Sequence, residues 1–453
     1  MTGLELLVLL AVAIGLLVLS ISKWKVHPFL AIMGVSLLFA LASGMPLTAV
    51  ADVIGAGFSS AFTSIGIVVI LGALVGRVLE KTGAALKMAD VMIRLAGKKK
   101  PELALLLMGR IVSMAVFCDS AFVVLDPVRK ALVRRTAKSS VACTMALSLG
   151  LYITQCFLPP APGPVAAANA LFGSMGLEVD LLLVLAMGLV CSILPTAVAL
   201  WFSGWSGLKM KAADETADSE NCAQAYEKLL EGYERLPGGW MSFAPILIPI
   251  VLMGLASAAQ MIGTPPAILL FLGKPVIALA AGLLMALLLL QRCGKMHLFY
   301  DLTESTLQTI APILFVIAAG SVLGEVIAAT ELENVIKAHA VSLQSLGLFF
   351  PFLLAALLKT ALGSSTVAIT ATSGILAPLM HTLGFVTPMD AALAVCAIAA
   401  GSMTACHAND SYFWVVVNLG GLKPQDGYRT QTLGTLLAGL AAMLNVLLVS
   451  LIL

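Results

Sequence analysis

The chain has 453 residues, 60% of them hydrophobic and 11% charged, where soluble domains carry about a quarter charged residues. That composition excludes a soluble globule and leaves a polytopic membrane protein whose first partner is the lipid bilayer. The net charge of +2 is small and scattered, so no nucleic-acid partner is expected.

A helix needs about 20 apolar residues to cross the bilayer core. The first run, Leu4 to Ser20, has no basic residue before it and no small-residue cleavage site behind it, and reads as a retained span. Spans are predicted next over Val26 to Ser43 and Ser64 to Leu79. Residues 103–132 are apolar, too long for one crossing, and interrupted at Phe117-Cys118-Asp119-Ser120. They predict a re-entrant hairpin, because non-helical backbone at that depth is tolerated only where it lines a cavity. The run 139–172 is a span broken by Pro159, Pro160, Pro162, Gly163 and Pro164, and Leu181 to Phe202 is another span. A polar stretch within 206–239 reads as a solvated cytoplasmic linker with a short helix. Spans then follow over Met241 to Ile262, Pro275 to Gln291 and Leu307 to Ile327. A second hairpin is predicted over 346–380, interrupted at Gly363-Ser364-Ser365-Thr366. A second broken span, 391–418, is interrupted at His407, Asn409 and Asp410, and Thr430 to Leu453 is the last span.

Basic residues orient these elements through the positive-inside bias. Lys23, Lys25, the groups at 81–100, 129–138 and 209–235, Arg292, Lys295, Lys423 and Arg429 fall on one side if both termini face outward. Only Lys274, Lys337 and Lys359 then lie outside or within the second hairpin. The first hairpin thereby enters from the cytoplasm and the second from the opposite face. Each half has five spans and one hairpin, and five is odd, so the halves 1–205 and 240–453 are expected to be inverted repeats. The letters agree. Gly76-Arg77-Val78-Leu79 aligns with Gly324-Glu325-Val326-Ile327, Arg110 with Lys359, and Thr154-x-Cys156 with Thr404-x-Cys406, at offsets of 248 to 250.

Inverted-repeat transporters build their site near the midplane from broken elements of both halves. Asp119 and Ser120 come from the first hairpin, and Pro160 and Gly163 from the first broken span. Gly363, Ser364, Ser365 and Thr366 permit close backbone approach, offer hydroxyls, and start a helix whose N-terminal amides suit an anion. Tight helix packing is the alternative role for such small residues. Lys359, one turn earlier, is placed to neutralise a substrate anion; a snorkelling lysine is the rival reading, and the same two readings stand for Arg110. Polar groups inside a span mark function by default, so Asn409 joins the binding set. The alternative is a polar cluster joining two helices. Asp119, His407 and Asp410 are the candidate proton carriers, since histidine titrates near neutral pH and desolvation favours a protonated carboxyl group.

Catalytic signatures are missing: there is no HExxH, no GxSxG and no GxxxxGK[ST]. No enzyme is predicted. The eight cysteines form no CxxC pair, so neither a disulfide framework, a metal site nor a cofactor is expected. Channels usually assemble symmetric rings, which a single inverted repeat does not.

Four stretches resemble signatures of the gluconate permease family: residues 117–127, FCDSAFVVLDP; 157–164, FLPPAPGP; 361–368, ALGSSTVA; and 407–414, HANDSYFW. The resemblance runs in order over nearly the whole chain. It implies an all-α fold of the ion-transporter superfamily with an elevator motion, and a proton-coupled importer of sugar acids or related small hydroxy or amino acids in the bacterial inner membrane. It also implies a homodimer. Against the family pattern, Asp119 stands for Glu, Gln155 and Ala161 for His, and Lys359 for Arg. The expected function is therefore proton-coupled uptake of a small hydroxylated monocarboxylate. The alternatives are a sodium-coupled di- or tricarboxylate carrier and a non-transporting scaffold or sensor.

Overall fold

A computed structural model describes residues 3–88, 91, 100–114, 116–136, 138–210, 212, 236–262, 266–330, 346–407 and 410–452. Most of the predicted linker, Lys337, Asn409 and the side chain of Ser120 lie outside the described residues. Those described form an all-helical protein. Six of their helical stretches are long and apolar enough to cross a membrane.

The first half runs α1 Gly3–Ser22, α2 Pro28–Ala42, α3 Leu47–Ala61 and α4 Ile67–Lys81, the last two joined through a π-turn. Then come α5 Pro101–Val112, α6 Cys118–Thr136, α7 Ser140–Phe157, α8 Pro162–Ser174, α9 Leu181–Cys191 and α10 Ile193–Lys209. The second half runs α11 Gly239–Ile262, α12 Ala267–Gly273, α13 Pro275–Arg292, α14 Phe299–Ala328, α15 Phe349–Leu362, α16 Ser365–Leu376, α17 Pro388–Ser402, α18 Ser411–Leu419, α19 Pro424–Gly427 and α20 Leu433–Ile452. Local chemistry sets many of these starts. Ser139 caps α7, Asp180 caps α9, and α17 opens with Pro388 inside a reciprocal Thr387–Asp390 capping box.

The stretches predicted as hairpins each hold two successive helices, α5 with α6 and α15 with α16, and the stretches predicted as broken spans likewise each hold two, α7 with α8 and α17 with α18. Two predicted spans begin too late. The span placed at Ser64 starts at Leu47, and the one placed at Leu307 starts at Phe299. The stretch before Ser64 carries Ser59, Ser60 and Thr63, and the stretch before Leu307 carries Asp301, Thr303 and Glu304, which depress hydropathy without breaking the helix. The span from Leu181 is kinked at Ser192, and α12 was not anticipated.

Burial separates a centre from a rim. The apolar window of α7–α8 is 100% buried, against 33% for those of α11 and α13. Each incoming hairpin arm lies on a broken helix, α5 on α7 and α15 on α17, and each broken helix also carries a terminal one, α10 on α7 and α20 on α17. Glycine permits the closest approaches. A Cβ on Gly150 would collide with the backbone of Leu106, and one on Gly401 with the carbonyl of Phe352. The second pieces of the broken helices cross over: α8 packs on α16 and α18 on α6. Arg129 of α6, fully buried, ties that crossing by bonding Asp126 at 2.7 Å, the Ser140 hydroxyl at 2.7 Å and the Leu419 carbonyl at 3.2 Å. Asp126 is thus an ion-pair partner of Arg129 and Lys130.

Candidate functional site

Four breaks each begin a new helix, and these helices pack in two pairs: α6, starting at Cys118, with α18, starting at Ser411, and α8, starting at Pro162, with α16, starting at Ser365. The contacts between them are specific. Ser411 donates to Asp119 Oδ1 at 3.2 Å, joining α18 to α6. Gly163 of α8 lies so close to Ile369 of α16 that a Cβ there would stand 2.8 Å from its Cδ1. The Cys156 thiol, at the end of α7, is in hydrogen-bonding reach of Ser365 and Ser402. Helix N-termini expose unpaired amides and the positive end of the helix dipole, so such starts favour an anion.

At the centre stands an ion pair. Lys359 is buried in the last turn of α15, and its Nζ bonds both the Gly363 carbonyl and Asp410 Oδ2. Asp410 is buried too and caps α18, its Oδ1 accepting from the Tyr412 amide at 2.9 Å. Its Oδ2 also accepts from the Tyr152 hydroxyl at 3.3 Å and the Cys406 thiol at 3.3 Å. The Tyr152 ring stacks on Tyr412 with centroids 5.3 Å apart and lies 5.8 Å from Lys359 Nζ, within cation–π range. Tyr412 in turn donates to the Ser148 carbonyl at 2.9 Å. Four donors thus converge on the Asp410 carboxyl group, and a lysine stripped of water needs such a partner.

Of the expected residues, Gly363 supplies an acceptor to Lys359. Gly363 has φ +80, a left-handed conformation that favours glycine. Ser364 caps α16 through the Val367 amide, Ser365 is buried and Thr366 partly so. Pro160 forms a cis peptide bond with Pro159. His407 is partly exposed and engages the backbone at Thr360. The snorkelling alternative for Lys359 is overturned by its burial. Arg110, its partner in the sequence alignment of the halves, turns away: it bonds the Ser192 carbonyl at 3.1 Å, the Ser192 hydroxyl at 2.6 Å and the Thr196 hydroxyl. There it caps the kinked end of α9. Tyr152, Cys406 and Tyr412 were assigned nothing from sequence, although a tyrosine hydroxyl inside an apolar helix requires a buried partner.

The GntP family permease profile matches residues 5–452. The chain is 30% identical to the Gnt-II system L-idonate transporter of Escherichia coli over 99% of both chains. It is 29% identical to a gluconate permease of Zymomonas mobilis, over 98% of this chain and 97% of that one. Its fold is similar to that of the Alcanivorax borkumensis YdaH transporter, with a TM-score of 0.66, 16% identity, and coverage of 94% of this chain and 97% of the other. A multi-pass helical architecture, a buried charged centre at the helix breaks and a match along nearly its whole length lead to one conclusion: the chain belongs to the GntP permease family, and is a membrane transporter, not an enzyme.

Proposed function

We propose that this permease imports a small hydroxylated monocarboxylate, of the gluconate type, together with protons. The observation that carries the reading is the buried Lys359–Asp410 pair. Relatives named for L-idonate and gluconate handle hydroxylated monocarboxylates, and such a substrate needs one buried cation. In a site with little water, Lys359 holds one negative charge at a time, because unpaired charges there are costly. A proton taken by Asp410 frees Lys359 for the substrate carboxylate, which the N-terminal amides of α16 at Ser364, Ser365 and Thr366 also favour. The protonated Asp410 still accepts from the Tyr412 amide, so α18 keeps its cap. When the substrate leaves, Lys359 recovers Asp410 and the proton is expelled. Asp119, beside the start of α18, and the partly exposed His407 are the groups through which that proton arrives or departs. Ser120, Asn409, Pro160 and Gly163 complete the substrate's surroundings.

The recurrent packing supports halves 1–205 and 240–453 being inverted repeats joined by 206–239: α5 on α7 matches α15 on α17, α4 on α13 matches α14 on α2, and the crossed pairs match each other. Hairpins and broken helices then form the moving body of an elevator, and α1–α4 with α11–α14 its frame. The positive-inside bias of the basic residues favours both termini outside, and the family resemblance supports a homodimer. In proteoliposomes without sodium, an inside-alkaline pH gradient should drive gluconate accumulation, and a protonophore should abolish it. Uptake that requires sodium at constant pH, or no uptake at all, refutes the proposal.

A further inference from the structure

Tyr152, 1% exposed, brings a hydroxyl into the interior from late in α7 and donates it to Asp410 Oδ2 at 3.3 Å. The same oxygen takes Lys359 Nζ. We infer that Tyr152 couples the proton on Asp410 to the substrate carboxylate on Lys359, by donating to whichever of the two carboxyl groups is charged. The inference rests on the function proposed above and adds the residue that links its two binding events.

The hydrogen bonds at Asp410 single Tyr152 out. Oδ1 is committed to the Tyr412 amide, a donor that cannot accept, so an arriving proton settles on Oδ2. There it must find an acceptor. A lysine ammonium has none to offer, and the Cys406 thiol is a weak one. The Tyr152 hydroxyl accepts as well as it donates, and it reverses by turning about its C–O bond, which moves only a hydrogen. The other titratable groups around Asp410, among the described residues, are Cys118 and Asp119 of α6, Cys156 of α7 and His407, and none of them bonds it.

Once reversed, the hydroxyl has its hydrogen free for another anion. Tyr152 Oη and Lys359 Nζ share one acceptor, so they stand within two hydrogen-bond lengths of each other. An anion held by Lys359 therefore lies within reach of the Tyr152 hydroxyl. With Asp410 charged, both donors serve Asp410 and the substrate finds neither. With Asp410 protonated, its O–H donates to Tyr152, and Tyr152 and Lys359 both donate to the substrate carboxylate. The only covalent bond formed is the O–H that the arriving proton makes on Asp410. The ring itself is held by its stack on Tyr412, with centroids 5.3 Å apart, and by Lys359 Nζ at 5.8 Å.

Tyr152→Phe keeps the ring and removes the hydroxyl. In proteoliposomes, the KM for gluconate counterflow is measured with the same pH on both sides and that pH varied. At acid pH, Tyr152→Phe should raise the KM roughly tenfold, the effect of one lost hydrogen bond to a charged group. As pH rises the wild-type KM climbs, because Asp410 loses its proton and takes Lys359 back. Removing a donor from a carboxylate disfavours its charged form, so in Tyr152→Phe the climb should begin about one pH unit higher. A tyrosine that only packs changes neither quantity, and one that touches substrate alone raises the KM without moving the climb; either result overturns the inference. A wild-type protein that transports no gluconate, or whose KM ignores pH, refutes the proposed function itself, and the role of Tyr152 falls with it. Should Tyr152→Phe fail to assemble, replacement of Tyr152 by 3-fluorotyrosine carries the test. Its hydroxyl is a stronger donor on the same ring, so the climb should begin at lower pH than in the wild type; an unmoved or higher onset overturns the assignment.

Discussion

Asp410→Asn removes one negative charge and almost nothing else. Asparagine is as good an N-cap as aspartate, so the Tyr412 amide keeps its acceptor and α18 its start. Lys359, with 0% of its side chain exposed, is then left with the Gly363 carbonyl as its remaining acceptor. Breaking a buried pair from one side costs about 3–5 kcal/mol, and Asp410→Asn belongs at the upper end. Lys359→Met belongs at the lower end, because Asp410 retains the Tyr412 amide, the Tyr152 hydroxyl and the Cys406 thiol. With both charges gone no ion is stranded, so the double variant should be more stable than the sum of the single losses by about 3 kcal/mol. The assay is a double-mutant cycle by reversible unfolding in mixed micelles. Single losses below about 1 kcal/mol, the value of an exposed pair, or strict additivity, would refute a dry, mutually dependent ion pair at the centre.

Two further outcomes are expected. Gly150→Ala and Gly401→Ala should each destabilise by about 1–3 kcal/mol in the same unfolding assay, because backbone on the facing hairpin arm cannot yield easily. Gly204→Ala, inside α10 with nothing within 4 Å, should be neutral or stabilise by up to about 1 kcal/mol. Arg110→Gln should lower thermal stability and leave the KM for gluconate within about twofold, whereas Lys359→Gln should raise that KM by more than tenfold, as loss of a charged hydrogen bond requires. A comparable rise in both would return Arg110 to the substrate site.

Much of the architecture was legible because lipid imposes a simple rule: backbone groups that cannot meet water must bond within their own helix. Apolar length therefore marks the helices, and Gly363, the 157–164 proline cluster and the polar 407–410 run mark where they stop. Those breaks are also where the charged residues gather, so the neighbourhood of the site was readable in one dimension. Misplaced ends came from the same rule applied too strictly. Ser and Thr in α3 and the start of α14 return their hydroxyls to their own helix, as Ser60 does to Gly57 and Thr306 to Leu302, so a stretch of low hydropathy can still be continuous helix.

Sequence by itself determined that the protein is helical and lies in a membrane, and marked where its helices are interrupted, because spacing, apolarity and backbone restriction are local properties. Only the tertiary structure decided which cation meets a buried carboxylate. Lys359 and Arg110 each stand a few residues before a helix break, yet one meets Asp410 and the other the carbonyl and hydroxyls at Ser192 and Thr196. A buried charge takes its role from the partner that folding brings to it, and that partner lies far along the chain, where no local pattern reaches.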